Sequence, residues 1–127
     1  MQRPFSMIPL PSRTTDKPRH RGLTMMMDWG LPIEQQAAWM NLQAPYVDLA
    51  KIVVGTARLY DEAYLLEKLA LYDKHNVRPF IGGQFLEYVM HAQGIEGAGP
   101  FFAEACRLGF KAIEVSDNVV PLNDNER

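Results

Sequence analysis

The sequence is poor in cysteine, in excess charge of either sign and in long apolar runs. Its single cysteine, Cys106, excludes an internal disulfide bond and is typical of a reducing compartment. The 13 basic and 15 acidic residues give a formal charge of −2, which provides no reason to expect nucleic-acid binding or attachment to a membrane surface. No run reaches the roughly 18 consecutive apolar residues of a membrane-spanning helix. We therefore expect a cytoplasmic protein without nucleic-acid or membrane partners.

What the sequence does contain favours one folded domain. Hydrophobic residues make up 47% of the 127 residues, which is too many for a disordered chain. Residues 1–21 are rich in proline and basic residues and are expected to form an irregular leader, and the domain is expected over residues 22–127. Within it, short apolar runs alternate with segments of helical spacing. The predicted strands cover 23–27, 47–54, 78–81 and 111–115, and the predicted helices cover approximately 33–44, 61–76, 85–93 and 100–108.

The order of these elements is strand, helix, strand, helix, strand, two helices, strand. This order requires parallel strands joined by right-handed crossovers, and hence an α/β fold. A doubly wound sheet and a (β/α)8 barrel both satisfy it, and periodicity alone does not distinguish them.

Polar residues and glycines gather where each predicted strand ends. In parallel α/β folds the carboxyl ends of the strands meet at one edge, and that edge carries the active site. A single polar loop is ordinary in such a fold, but four such loops in succession favour a functional site. The residues concerned are Asp28, then Gly55 and Thr56, then Gly82, Gly83, Gln84 and Glu87, and finally Ser116, Asp117 and Asn118.

Two of the predicted strands carry a charge within an apolar run, at Lys51 and at Glu114. Because side chains alternate along a strand, both are expected on the face away from the β-branched residues, which would be the interior of a barrel. A buried unpaired charge is costly, so such groups are paired or bind a ligand. Two interpretations remain open: a structural Lys51–Glu114 ion pair, or a functional lysine with a metal-binding or acid–base glutamate.

At these strand ends the sequence resembles the phosphosulfolactate synthase family. The similar segments follow one another in order, at the spacing that βα units require, and together they span residues 17–127. They are Lys17-Pro-Arg19, Gly22-Leu-Thr24 and Asp28-Trp-Gly30 at the opening, then Asp48 to Thr56 at the second strand, Pro79 to Glu87 at the third and Gly109 to Asp117 at the fourth.

The resemblance implies a TIM (β/α)8 barrel, of which this chain would be the N-terminal four βα units, truncated before the fourth helix. It also implies a carbon–sulfur lyase that adds sulfite to phosphoenolpyruvate with Mg²⁺ as cofactor, giving (2R)-phospho-3-sulfolactate in coenzyme M biosynthesis. Since sulfite is itself the nucleophile, the protein needs to supply only the metal ion, cations for the phosphate and a proton donor.

By the same resemblance, the strand-end residues take three roles. The catalytic residues would be Lys51, Glu114 and Glu87. The metal ligands would be Asp28, Glu114 and Asp117, directly or through water, since magnesium prefers oxygen ligands. The substrate would be bound by Arg19, Gly55, Thr56, Gly82, Gly83, Gln84 and Ser116.

Three positions depart from the usual pattern of the family. Trp29 stands where the synthases commonly carry lysine, Gln84 where they carry threonine, and Asn118 where they carry glycine. These departures keep two alternatives open. One is a TIM-barrel enzyme that acts on another small phosphorylated or sulfonated acid, and the other is a non-enzymatic relative of the plant heat-stress-associated type.

The last residues have the composition of a helix start, with Asn123 or Asp124 as the cap and Glu126 in the first turn. A helix that begins without continuing predicts a truncated chain. An open four-strand sheet would expose apolar edges, so we expect the isolated chain to aggregate or to form a homo-oligomer, and to be inactive on its own.

Overall fold

A computed structural model of the chain describes residues 3–12, 14–123 and 125. Strands and helices alternate in the order that the sequence pattern predicts. The strands are β1 (Met25–Asp28), β2 (Leu49–Ile52), β3 (Arg78–Ile81) and β4 (Ala112–Ile113), and the helices are α1 (Ile33–Gln43), α2 (Glu62–Lys74), α3 (Gly83–Gln93) and α4 (Ala98–Leu108). Short 3-10 turns lie at Ala44–Tyr46, Thr56–Leu59 and Ile95–Gly97.

The strands form one parallel sheet in the order β1-β2-β3-β4. Each crossover advances the chain by one strand, and the register places Met27, Lys51, Phe80 and Ala112 in one row across the sheet. The predicted α/β fold with a parallel sheet is confirmed. A doubly wound sheet reverses the direction in which strands are added, and the described strands show no such reversal. The order is consistent with part of a barrel, while the closed barrel itself stays a prediction.

The hydrophobic core lies between the sheet and its helices. Ala50, Ile52 and Ile81 point from the strands into this layer and are at most 3% exposed. Helix α2 contributes Leu65 and Leu69, which are spaced four residues apart and therefore lie on one side of the helix. Burying a side chain of this size contributes about 1.5–3 kcal/mol relative to leaving it in water. Alternation along the strands thus decides which face of the sheet the helices cover.

The opposite face of the sheet is more exposed, most clearly along β1. Met25 and Met27 are 47% and 51% exposed, whereas Met26 between them is 7% exposed. Lys51 lies in the same row as Met27 and so belongs to this open face. The face that a barrel would turn inward is therefore the one that carries the charged residue of β2.

The end of the leader is tied to loops beside the sheet. Lys17 Nζ donates hydrogen bonds to the carbonyl oxygens of Ala44, Val47 and His75, at 2.9 Å for Ala44 and 3.3 Å for His75. The described residues before Gly22 form neither helix nor strand. One long polar side chain thus connects the leader to the turn after α1 and to the end of α2.

Some bounds differ from those expected. Strand β4 has two residues rather than five, and α3 begins at Gly83, two residues earlier than predicted. Of the tail that was expected to open a further helix, Asp124 and Glu126 lie outside the described residues. No helix in the part of the chain that the structure describes is long and apolar enough to cross a membrane.

Candidate active site

The two charges predicted within strands meet on the open face of the sheet. Lys51 Nζ lies 2.6 Å from Glu114 Oε2, with β3 between the two segments. The side chains are 22% and 37% exposed, so the pair is accessible to ligands. The predicted placement of both charges on one face is confirmed, and the ion pair, one of the two interpretations left open, is present.

A cavity of about 210 Å³ lies beside this pair at the carboxyl ends of the strands. Its wall contains residues from the ends of all four strands. The polar residues that follow the strands therefore converge as expected, although not all of them reach the wall. The lining residues are Met27, Trp29, Lys51, Val53, Val54, Gly82, Gly83, Gln84, Glu114, Ser116 and Asn118.

Helix α3 begins at the cavity and directs its first amide to Glu114. The Gly83 N–H donates to Glu114 Oε2 at 2.8 Å, and the N-cap residue, Gly82, has no side chain of its own to cap this end of the helix. Burial by itself raises the pKa of Glu114, but the hydrogen bonds from Lys51 and Gly83 outweigh it and hold the pKa below its ordinary value. At neutral pH, Glu114 is thus a carboxylate held by a cation and by a helix N-terminus.

The two glycines that follow β3 allow the segment after β4 to lie close to the start of α3. A Cβ at position 82 would lie 2.9 Å from Lys51 Cε, and a Cβ at position 83 would lie 2.2 Å from Ser116 Oγ. The second distance is far inside van der Waals contact. The segment after β4 therefore packs against the start of α3 only because residue 83 has no side chain.

Gly83→Ala is expected to lower the free energy of unfolding by roughly 2–3 kcal/mol, because Ser116 must move to admit the methyl group. Gly99→Ala is the matched control, since a Cβ at Gly99 in α4 meets no atom within 4 Å apart from its chain neighbours and the backbone of its own helix. Alanine favours a helix over glycine, but the following Pro100 opposes a Cβ at this position, so the net change is expected to stay within about 1 kcal/mol. Urea denaturation of both variants measures the difference. A Gly83→Ala chain as stable as wild type would contradict the close packing.

Glu87 lies behind the wall of the cavity and is 2% exposed. Its carboxylate accepts hydrogen bonds from Ser116 Oγ and from the N–H groups of Asn118, Val119 and Val120, the last three at 3.2, 2.6 and 2.8 Å. Burial alone raises the pKa of Glu87, but these hydrogen bonds outweigh it and lower the pKa to about 2. The geometry does not support the predicted catalytic role, because the carboxylate is engaged in holding the loop after β4.

Asp28 turns away from the cavity, toward the helices. Its Oδ2 lies 2.7 Å from Lys68 Nζ and 2.6 Å from Tyr72 OH, and its Oδ1 accepts from the N–H groups of Gly30 and Leu31 at 2.9 and 2.8 Å. The side chains of Asp28 and Lys68 are both 0% exposed. The geometry does not support the predicted role of Asp28 as a metal ligand, because both carboxylate oxygens are engaged inside the core.

Lys68 is a buried charge that was not predicted from the sequence. Besides its ion pair with Asp28, its ammonium donates to the Leu31 carbonyl oxygen and to Gln36 Oε1, the latter at 3.1 Å. Burial alone raises the pKa of Asp28, but the hydrogen bonds to it, that from Lys68 foremost, outweigh this and lower it. A signal was available, because a lysine three residues after Leu65 falls on the side of α2 that faces the core.

Arg19 lies at the opposite edge of the sheet from the cavity. Its Nη2 is 3.0 Å from Asp48 Oδ2, and its Nη1 donates to the Pro45 carbonyl oxygen at 2.8 Å. Asp48 directly precedes β2, and its Oδ2 also accepts from the N–H of Thr24, which directly precedes β1. Arg19 therefore joins the amino ends of the strands, and the geometry does not support its predicted contact with substrate at the carboxyl ends.

Gly55 and Thr56 follow two lining residues, Val53 and Val54, but do not themselves line the cavity. The Thr56 hydroxyl donates to the Val53 carbonyl oxygen at 2.8 Å and so stabilises the local turn. The structure thus separates these two residues from the other predicted substrate contacts of the third and fourth strand ends, which do line the cavity.

One of the predicted magnesium ligands, Glu114, lines the cavity. Within the described ranges, no three His, Cys, Asp or Glu side chains come together as a metal site. Magnesium commonly takes only one or two carboxylates and completes its shell with water and phosphate oxygens. Glu114 lines the cavity, and the exposed Asp117 lies between two lining residues. Glu114 fits such a site from the cavity lining, Asp117 stays a predicted ligand, and the geometry does not support Asp28.

All three positions at which the sequence departs from the synthase pattern border the same cavity. Trp29, Gln84 and Asn118 lie in its wall, and the Trp29 side chain is 69% exposed. They come from three different strand ends, so the structure brings together departures that are far apart in sequence. If the substrate differed from that of the synthases, these three residues are the ones that would contact the difference.

Comparison with known proteins extends the resemblance seen at the strand ends. The pattern of the (2R)-phospho-3-sulfolactate synthase (ComA) family matches residues 12–127. The chain is 32% identical over 111 residues to the phosphosulfolactate synthase of Methanothermobacter thermautotrophicus and 30% identical over 107 residues to that of Methanocaldococcus jannaschii. It is 27% identical over 120 residues to the phosphosulfolactate synthase of Bacillus subtilis.

These similarities cover 87%, 84% and 94% of the chain but only 42%, 41% and 45% of the relatives. The chain thus spans less than half the length of the relatives that it matches. The family pattern nevertheless includes every strand end that contributes to the cavity. The chain belongs to the (2R)-phospho-3-sulfolactate synthase family.

Proposed function

We propose that this chain is the N-terminal part of a TIM-barrel phosphosulfolactate synthase that uses Mg²⁺ to add sulfite to phosphoenolpyruvate, giving (2R)-phospho-3-sulfolactate. The observation that carries the proposal is the Lys51–Glu114 pair beside the start of α3, at a cavity on the carboxyl edge of the sheet. Barrel enzymes have their active sites at that edge. A lysine and a helix N-terminus suit a substrate with phosphate and carboxylate groups.

The reaction requires charge stabilisation and a proton. The sulfur lone pair of sulfite forms a bond to C3 of phosphoenolpyruvate, the π electrons of the C2–C3 bond move toward C2 and its carboxylate, and C2 then takes a proton. Lys51 provides positive charge and N–H donors at the cavity, and the Gly83 N–H adds a backbone donor. When bound, Mg²⁺ would supply Lewis-acid stabilisation of the substrate carboxylate, and Glu114 and Asp117 are the residues that would hold it.

Phosphoenolpyruvate is expected to bind at this cavity and to shift the indole NMR signal of Trp29, which lines it, but not that of Trp39 on α1. Lys51→Met is expected to weaken binding by at least about tenfold, because it removes the cation of the site. Lys111→Met is the matched control, since Lys111 is an exposed lysine that pairs with Asp73 at 3.5 Å. Unchanged binding in Lys51→Met, or equal shifts of both indoles, would contradict the proposed site.

A second candidate function is favoured by the three departures in the cavity wall. The same fold and site would then act on another small phosphorylated or sulfonated acid. In that case a probe such as phosphoglycolate or sulfoacetate shifts the Trp29 signal and phosphoenolpyruvate does not. Trp29→Lys, which restores the residue usual in the synthases, would be expected to recover binding of phosphoenolpyruvate.

Other properties of the whole protein remain predictions. The chain spans 42% of the first relative, so later loops would complete the phosphate site of a barrel, which needs roughly 250 residues. Inactivity of the isolated chain, its tendency to form a homo-oligomer and a cytoplasmic location are each proposed on these grounds and on the sequence.

A further inference from the structure

The Glu114 carboxylate occupies the position that an oxyanion ligand would take at this cavity. One of its oxygens, Oε2, accepts hydrogen bonds from the Lys51 ammonium at 2.6 Å and from the Gly83 N–H at 2.8 Å. A cation and the first amide of a helix that converge on one oxygen are typical of protein sites for phosphate-like anions. Here both donors point at a side chain of the protein itself.

The contact is one that a ligand can replace. Glu114 and Lys51 are 37% and 22% exposed, and both line the cavity. Ion pairs that water can reach are weak, because water competes for both partners. The buried pair of Asp28 and Lys68 gives the contrast, since both side chains are 0% exposed and no ligand has access to them.

We propose that Lys51 Nζ and the Gly83 N–H form an oxyanion subsite that Glu114 fills when no substrate is bound, and that a tetrahedral or pyramidal oxyanion of the substrate displaces it. Identification of that anion as the substrate's phosphate or as sulfite rests on the function proposed above, whereas the subsite rests on the contacts of three residues. Displacement releases the Glu114 carboxylate as the anion neutralises Lys51. Glu114 is thus an internal competitor that lowers the affinity for every anion at this position.

Inorganic phosphate and sulfite are the probes for this subsite. Each is titrated separately into the full ¹⁵N-labelled chain while the Gly83 amide signal is followed by NMR. Glu114→Gln keeps the shape of the side chain and removes its charge, and Glu114→Ala removes the competitor. Both variants are expected to bind the probe about three- to tenfold more tightly than wild type. Lys51→Met is expected to abolish the Gly83 shift, and the probe with the larger gain identifies which anion the subsite takes.

Lys111→Met and Gly99→Ala serve as controls and are expected to leave the affinity unchanged, because neither position lines the cavity. Affinity that is unchanged or lower in both Glu114 variants, with well-dispersed spectra, would overturn the inference, as would the absence of any Gly83 shift in Glu114→Ala at high probe concentration. The proposed function is tested separately, by the shift of the Trp29 indole signal when phosphoenolpyruvate is added. Tighter binding of inorganic anions without phosphoenolpyruvate binding would retain the subsite and reject that function. Phosphoenolpyruvate binding without any gain in anion affinity in the Glu114 variants would support that function and reject the subsite.

Discussion

Lys68→Met is expected to lower the free energy of unfolding by roughly 3–5 kcal/mol, the largest effect of any single substitution proposed for this chain. The substitution leaves the Asp28 carboxylate without its cation at a position where both side chains are 0% exposed. A buried charge whose partner is removed is either desolvated at high cost or forced to bind a proton. Tyr72 and the amides of Gly30 and Leu31 still donate to Asp28, which limits the loss but does not supply positive charge.

Urea denaturation measures this loss of unfolding free energy, and two further variants show whether it comes from the unpaired charge. Asp28→Asn combined with Lys68→Met removes both charges and is expected to recover at least about 1 kcal/mol relative to Lys68→Met alone. Arg107→Met is the matched surface control, because Arg107 and its partners Glu62 and Glu104 are at least 50% exposed. Its expected cost is small, because water screens ion pairs at the surface. Equal losses for Lys68→Met and Arg107→Met would show that the Asp28–Lys68 pair is not a desolvated one.

The same substitution bears on the candidate site through the turn after β1. Asp28 Oδ1 holds the N–H groups of Gly30 and Leu31, and Trp29 stands between Asp28 and these two residues. Trp29 in turn forms part of the cavity wall. A core ion pair on the helix side of the sheet thus supports the position of a side chain on the ligand side. Broadening of the Trp29 indole signal in Lys68→Met, with Trp39 unaffected, would report this connection.

The order of the elements could be predicted because each strand is a short apolar run that ends at a glycine or a polar residue. The placement of Lys51 and Glu114 on one face could also be predicted, because alternation assigns both to the face away from the β-branched residues, whereas their pairing was one of two open interpretations. Their separation by one strand follows from the parallel order. Both features depend on the spacing of apolar residues and on the order of the elements, which can be read directly from a sequence.

The predicted roles that the geometry does not support belong to residues whose partners are distant in sequence. Asp28 is predicted at the cavity because it follows an apolar run, yet alternation with the buried Met26 directs it to the helices. There it pairs with Lys68, which lies 40 residues further along the chain. Arg19 was assigned to substrate by resemblance, but it pairs with Asp48 at the amino edge. Glu87 takes its hydrogen bonds from residues about 30 positions later. Periodicity indicates the face on which such a residue lies, but tertiary packing decides which partner it meets there.

Glu87→Gln is expected to lower the free energy of unfolding at neutral pH by roughly 2–4 kcal/mol, second only to the loss of Lys68. The carboxylate accepts from four donors, and a glutamine turns an NH₂ group toward some of them. Each buried N–H left without an acceptor costs about 1–3 kcal/mol. Ser116→Ala is the control, since it removes one donor and keeps the carboxylate with its three amide partners; its expected loss is about 1 kcal/mol.

The stabilisation by Glu87 also has a predictable dependence on pH. Its pKa is about 2 in the folded chain, below its ordinary value of 4.5, so as the pH falls the unfolded chain takes up the proton first. The contribution is therefore complete above about pH 4.5 and is lost as the pH falls from there toward 2. Asp28, Asp48 and Glu114 also have lowered pKa values and add to the acid sensitivity of wild type. Their contribution to the pH dependence is the same in each variant and cancels when variants are compared. Urea denaturation from pH 6 to pH 3 should therefore show a shallower fall in the free energy of unfolding for Glu87→Gln than for wild type or Ser116→Ala. Parallel curves for all three would refute the anchoring of the loop by an ionised Glu87.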